Sequence, residues 1–200
     1  MVRRGLPPAL LVALGLLAIC SCAVLKKGPS PVRPASPMPA PTHAPAPVPA
    51  YDPGSVIREA RARMAKGEYK KAVEAYKSAL SIHSGNKRLL SGCREALLAA
   101  NAAAGTSFGK GDFGRAGSLY YMVAENYKYL GPADMQPGYL KKRIKDCGVA
   151  LTQRGLESYR KGQLQAAILE WEEILRFDPG NSEVKKAVGT AKVQLKNLSK

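Results

Sequence analysis

One stretch of residues occurs three times along the chain, and it constrains the fold more than any other feature. "KGEYKKAVEAYKSAL", "KGDFGRAGSLYYMVA" and "KGQLQAAILEWEEIL" each open with Lys-Gly, the glycines being Gly67, Gly111 and Gly162. Two residues beyond each glycine stands Tyr69, Phe113 or Leu164; five beyond stands Ala72, Ala116 or Ala167. Nine beyond stands a large aromatic, Tyr76, Tyr120 or Trp171, and twelve beyond an aliphatic residue, Ala79, Val123 or Ile174. Steps of four and three place the last three columns on one face of a helix. Glycine just before that helix ends the preceding one by taking a left-handed backbone conformation. Helix-periodic residues also precede each Lys-Gly, with Ala60 and Met64, Ala104 and Phe108, Gly155 and Tyr159 in matching places. A unit that cannot bury its own apolar face must stack on its neighbours, so the repeat predicts helix pairs sharing one elongated core.

These motifs resemble the tetratricopeptide repeat family. The likeness is specific in the second helix of each pair, where Ala is followed four residues on by an aromatic, and at Pro179 in "RFDPGN", which stands at the family's closing proline. It covers residues 54 to 200. The chain departs from the family in spacing, because its glycines are 44 and then 51 residues apart where the family repeats every 34 or so. First helices of the second and third pairs are therefore lengthened, or carry inserts such as "YLGPADMQPGY". Ser84 and Lys128 replace the closing proline in the first two repeats. The resemblance implies an all-α solenoid of about three such pairs. A capping helix follows in "NSEVKKAVGTAKVQLKNLSK", N-capped by Asn181 or Ser182. Seven helices and no strands are expected.

Upstream, Arg3 and Arg4 precede an uncharged apolar run from Leu6 to Ile19, the order of a secretory signal. Residues 1 to 21 are read as that signal and 22 to 53 as a linker. "ICSC" resembles the bacterial lipobox in the frame ending at Cys22, which implies a lipidated N-terminus there; Ser21-Cys22-Ala23 also satisfies the small-x-small rule for ordinary cleavage. An uncleaved anchor is the third reading, although the apolar run falls short of the ~20 residues of a spanning helix. Two acyl chains would give stable membrane attachment, and Ala23 in place of Asp implies, by the same resemblance, the outer membrane facing the periplasm. Ten of the twenty-five residues from Pro29 to Pro53 are proline, which excludes helix and sheet. As polyproline II this arm reaches on the order of 80 Å.

Nothing in the sequence spells catalysis or a cofactor. His43 lies in the linker and His83 in an expected turn, and no metalloprotease, nucleophile-elbow or phosphate-loop motif is found. Glu172 and Glu173, beside Trp171, read as solvated charge. Cys93 and Cys147 fall on neighbouring first helices. They read as buried small hydrophobes, as a disulfide formed in an oxidising compartment, or as reactive thiols. No metal set is expected.

The resemblance implies a partner groove lined by first helices, at Ile57, Arg61, Met64, Asn101, Phe108, Thr152, Leu156 and Tyr159; packing between helices is the competing reading of the apolar ones. Loss of Arg3 and Arg4 with the leader lowers the net charge from +16 to +14, which favours anionic partners. Lys141, Lys142, Arg143 and Lys145 concentrate that charge, as a solvated helix face, a contact for anionic lipid or envelope polymer, or a dock for an acidic protein. Export makes nucleic acid an unsuitable partner. The expectation is thus an envelope lipoprotein that binds a protein or peptide as a scaffold and is not an enzyme. The alternative is a binding module for lipopolysaccharide or peptidoglycan.

Overall fold

The computed structural model describes residues 52 to 131 and 133 to 199. The signal, Cys22 and nearly all of the proline-rich linker lie outside the described residues. Among the described residues seven α-helices follow one another: α1 Pro53–Ala65, α2 Tyr69–Ile82, α3 Lys87–Gly109, α4 Phe113–Glu125, α5 Pro137–Arg160, α6 Leu164–Phe177 and α7 Ser182–Leu198. One 3-10 turn, Tyr127–Tyr129, lies between α4 and α5. There is no strand among the described residues, and no helix there is long and apolar enough to cross a membrane. Each helix packs against the next in the chain; α1 also lies against α3, and α4 against α6.

The Lys-Gly stretches form three copies of one turn. Gly67, Gly111 and Gly162 have φ of 74°, 76° and 73°. Their N–H groups donate to Met64, Phe108 and Tyr159 carbonyls at 2.9, 3.0 and 3.0 Å. The next N–H in each copy, from Glu68, Asp112 and Gln163, reaches the carbonyl five residues back, at Arg63, Ser107 and Ser158. This double closure is the Schellman motif, which satisfies carbonyls left open at a helix end. Arg115 and Arg154 bring guanidinium groups over Gly67 and Gly111, a favourable place for a cation because helix C-termini carry partial negative charge.

Asp52, Asn86, Asp112 and Asn181 cap α1, α3, α4 and α7, each accepting a first-turn N–H. Asn86 accepts two, from Arg88 and Leu89. The helices differ in length as the glycine spacing requires: α1 has 13 residues, α3 23 and α5 24.

The core runs along the repeat columns. Ala72, Tyr76, Ala79, Ala116, Tyr120, Val123, Ala167, Trp171 and Ile174 are all buried. Glycines on the facing helices admit the aromatics. A Cβ on Gly92 would stand 2.6 Å from the Tyr76 ring, and one on Gly155 would stand 2.2 Å from the Trp171 indole nitrogen. Gly117 receives the Phe177 ring in the same way, at 2.5 Å. Close approach of this kind is what dense packing demands, and any side chain there would force the helices apart.

The insert between α4 and α5 is folded back onto the helices. Leu130 and Met135 are buried in it. Tyr127 donates its hydroxyl to the Met135 carbonyl at 2.5 Å. Asp134, whose side chain is 6% exposed, binds both arms of the Arg94 guanidinium from α3, with Nε donating at 2.7 Å, and accepts the Gly131 N–H at 2.6 Å.

Candidate functional site

The first-helix residues expected to line one groove are not brought together as one surface. Ile57 is buried and Met64 packs against the core. Arg61 is exposed and reaches Glu95 of α3 at 3.4 Å. Phe108 is covered: its ring meets Phe113 edge-on at 5.1 Å, and the Arg143 guanidinium lies 3.9 Å above its centroid. Asn101 is half-buried, with a side-chain oxygen shut off from solvent and unpaired among the described residues.

The third pair behaves differently. Thr152, Leu156 and Tyr159 of α5 meet Trp171 of α6 and Asn181, Glu183, Val184, Ala187 and Thr190 at the start of α7, around a pocket of about 390 Å³. Helical spacing puts the three α5 residues on one stripe, and α7 closes the far wall. Tyr159 and Trp171 stack at a tilt of 38° with centroids 5.8 Å apart. The indole N–H donates to the Thr152 carbonyl at 3.4 Å, so the ring is fixed while only 5% exposed. The lining mixes the apolar Leu156, Trp171, Val184 and Ala187 with the polar Thr152, Asn181, Glu183 and Thr190. Trp171, Val184 and Ala187 were not foreseen as lining residues. The aromatic column marked Trp171 as core only, and the α7 wall required knowing where the capping helix comes to rest.

The basic stretch at the start of α5 is not one cluster. Arg143 turns into the fold, 23% exposed, where Nε donates to the Tyr120 hydroxyl at 3.2 Å and the guanidinium lies over both Phe108 and Tyr120. That hydrogen bond holds the Arg143 pKa above its usual value, and burial raises that of Tyr120. Lys142 pairs with Asp146 at 2.9 Å. Lys141 and Lys145 are exposed, and neither has an acidic partner among the described residues.

Cys93 and Cys147 are buried, free thiols; no disulfide joins them. Burial pushes each thiol up to about 11, so neither carries thiolate at neutral pH, and both are small packing residues. Glu172 and Glu173 are half-buried and paired, with Lys192 at 2.6 Å and Arg176 at 2.7 Å, so they are not simply solvated. Pro179 lies exposed in the turn between α6 and α7. No group of three or more His, Cys, Asp or Glu among the described residues is placed to hold a metal ion.

Comparison with known proteins adds no relative: no family model matches the chain, and no curated protein matches it.

Proposed function

We propose that this chain is a lipid-anchored protein of the bacterial cell envelope, attached through Cys22 and facing the periplasm. Its tetratricopeptide-like helical solenoid binds a protein partner as a scaffold. The observation that carries the binding role is the pocket between α5 and α7, where Thr152, Leu156 and Tyr159 surround an apolar opening that a partner's side chain can fill. The lipobox-like "ICSC" and the proline-rich arm support the anchored part of the reading, since the arm would hold the helical unit clear of the membrane.

The test uses the full chain in a double-membraned bacterial host. Radiolabelled palmitate should be incorporated by the wild type and lost in Cys22→Ser. A photo-crosslinking amino acid at Leu156 should give a defined protein adduct, and one at Lys185 on the outer face of α7 should not. An unlipidated N-terminus at Ala23 would overturn the anchor. Absence of any adduct from the Leu156 position would overturn the scaffold role.

A further inference from the structure

A second hollow runs along the N-terminal half of α5 and meets the pocket just described at Thr152 and Asn181, which line both. Around the C-terminus of α6, two recesses of about 560 and 430 Å³ share Lys141, Ile144, Phe177 and Asp178 and so form one trough. The larger is walled by Tyr121, Ala124 and Tyr127; the smaller runs on past Lys145, Gly148 and Val149. Gly148 leaves its floor open, and Val149 is 60% exposed there.

The charges around this trough are unevenly satisfied. Asp178, the one carboxylate lining both recesses, accepts from the neutral Asn181 amide at 3.0 Å and keeps its charge, and Glu125, beside the wall, accepts the Tyr121 hydroxyl at 2.7 Å; two lysines against one carboxylate leave the lining net positive. Lys142, which lines neither recess, is paired. Lys141 and Lys145, which do line them, have no carboxylate among the described residues. They stand one helical turn apart, where like charges repel. Part of that repulsion is offset by the nearby C-terminus of α6.

We propose that this trough binds an acidic, amphipathic segment of a protein partner. A large apolar side chain would enter between Tyr127 and Ile144, and carboxylates would pair with Lys141 and Lys145. The reading rests on the scaffold role proposed above but assigns a further surface, adjoining the first at Thr152 and Asn181, and a partner chemistry. Two lysines flanking an apolar recess suit a peptide. A polyanion or a lipid headgroup layer needs a dense basic patch, and the withdrawal of Arg143 with the pairing of Lys142 removes it. Acidic charge supplies specificity and encounter rate, while the apolar anchor holds the complex.

The probe is a phage-displayed library of random twelve-residue peptides selected against the full chain, with affinities then measured for synthetic copies. Selected peptides should carry at least two carboxylates near an aromatic or branched aliphatic residue. Lys141→Glu with Lys145→Glu should weaken them roughly tenfold or more, corresponding to about 1.4 kcal/mol, as should Ile144→Asp. Leu156→Asp should leave them unchanged. Binding should also fall as salt is raised. Peptides that lose affinity only with Leu156→Asp would overturn this site and leave the scaffold role standing. A selection without acidic bias, or binding indifferent to both lysines, would overturn it as well. So would vesicles of phosphatidylglycerol that bind through Lys141 and Lys145 while the peptides do not.

Discussion

Two tyrosines in the same repeat column are in opposite situations. Tyr76 is buried against Gly92, and its hydroxyl has no hydrogen-bond partner among the described residues; burial raises its pKa accordingly. The Tyr120 hydroxyl receives the Arg143 guanidinium at 3.2 Å. A buried polar group without a partner costs stability, whereas one that accepts from a cation contributes it. Tyr76→Phe should therefore leave stability unchanged or raise it by about 0.5–1 kcal/mol, and Tyr120→Phe should lower it by about 1 kcal/mol. Urea unfolding followed by circular dichroism checks both, and equal losses at the two positions would contradict the assignment. Arg143 itself was not legible as a structural residue. Its sequence neighbours are basic, and the rings it covers lie 23 and 35 positions away.

At the scale of single elements, the sequence announces some features and conceals others for a physical reason. The three Schellman turns are local: a glycine, a preceding helix and an apolar residue two positions on suffice to predict them. Columns five, nine and twelve residues beyond each glycine are equally local, because helical periodicity alone sets which face is buried. Extra length in α3 and α5 followed from the glycine spacing. The fold of the 129–139 insert did not, since it depends on Arg94 and Asp134, forty residues apart.

Arg94 and the Gly131 N–H hold the Asp134 carboxyl below its ordinary pKa. A depressed carboxyl stabilises the fold above its unfolded value, 3.8, and that contribution disappears as pH falls through the lower folded value. Asp134→Asn should therefore speed amide hydrogen exchange across residues 130 to 136 at neutral pH. The difference from the wild type should shrink as the pH is taken below 3.8 and through the lower folded value. Unchanged exchange at neutral pH would show that burial of Leu130 and Met135 and the Tyr127 hydrogen bond suffice to hold the insert.

For the molecule as a whole, stability depends on closing the open end of the helix series. Val184, Val188 and Ala191 form the buried face of α7 and cover α6, while Lys185 and Lys186 face outward and Lys192 pairs with Glu172 across the seam. End helices with one apolar and one polar face are what keep repeat structures from associating end to end. Val188→Asp puts a charge into that seam and should cost about 2–3 kcal/mol. It should also shift the protein towards larger species in size-exclusion chromatography. A variant with the elution volume and stability of the wild type would place the cap elsewhere. The capping helix was legible in the sequence. The pocket it completes was not, because a void between α5 and α7 depends on how two helices with separate patterns come to rest.

Trp171 is the chain's single tryptophan, and it lies at the edge of the pocket between α5 and α7 with its indole N–H tied to a backbone carbonyl. Indole emission responds to polarity and to that hydrogen bond, so the native protein reports occupancy of this pocket without any attached dye. A shift of emission towards the blue on adding a partner would mark the α5–α7 pocket as filled. Binding at the Tyr121–Tyr127 end of the lysine trough, which neither Trp171 nor Thr152 lines, would leave the spectrum in place, so one cuvette measurement distinguishes that site from the pocket.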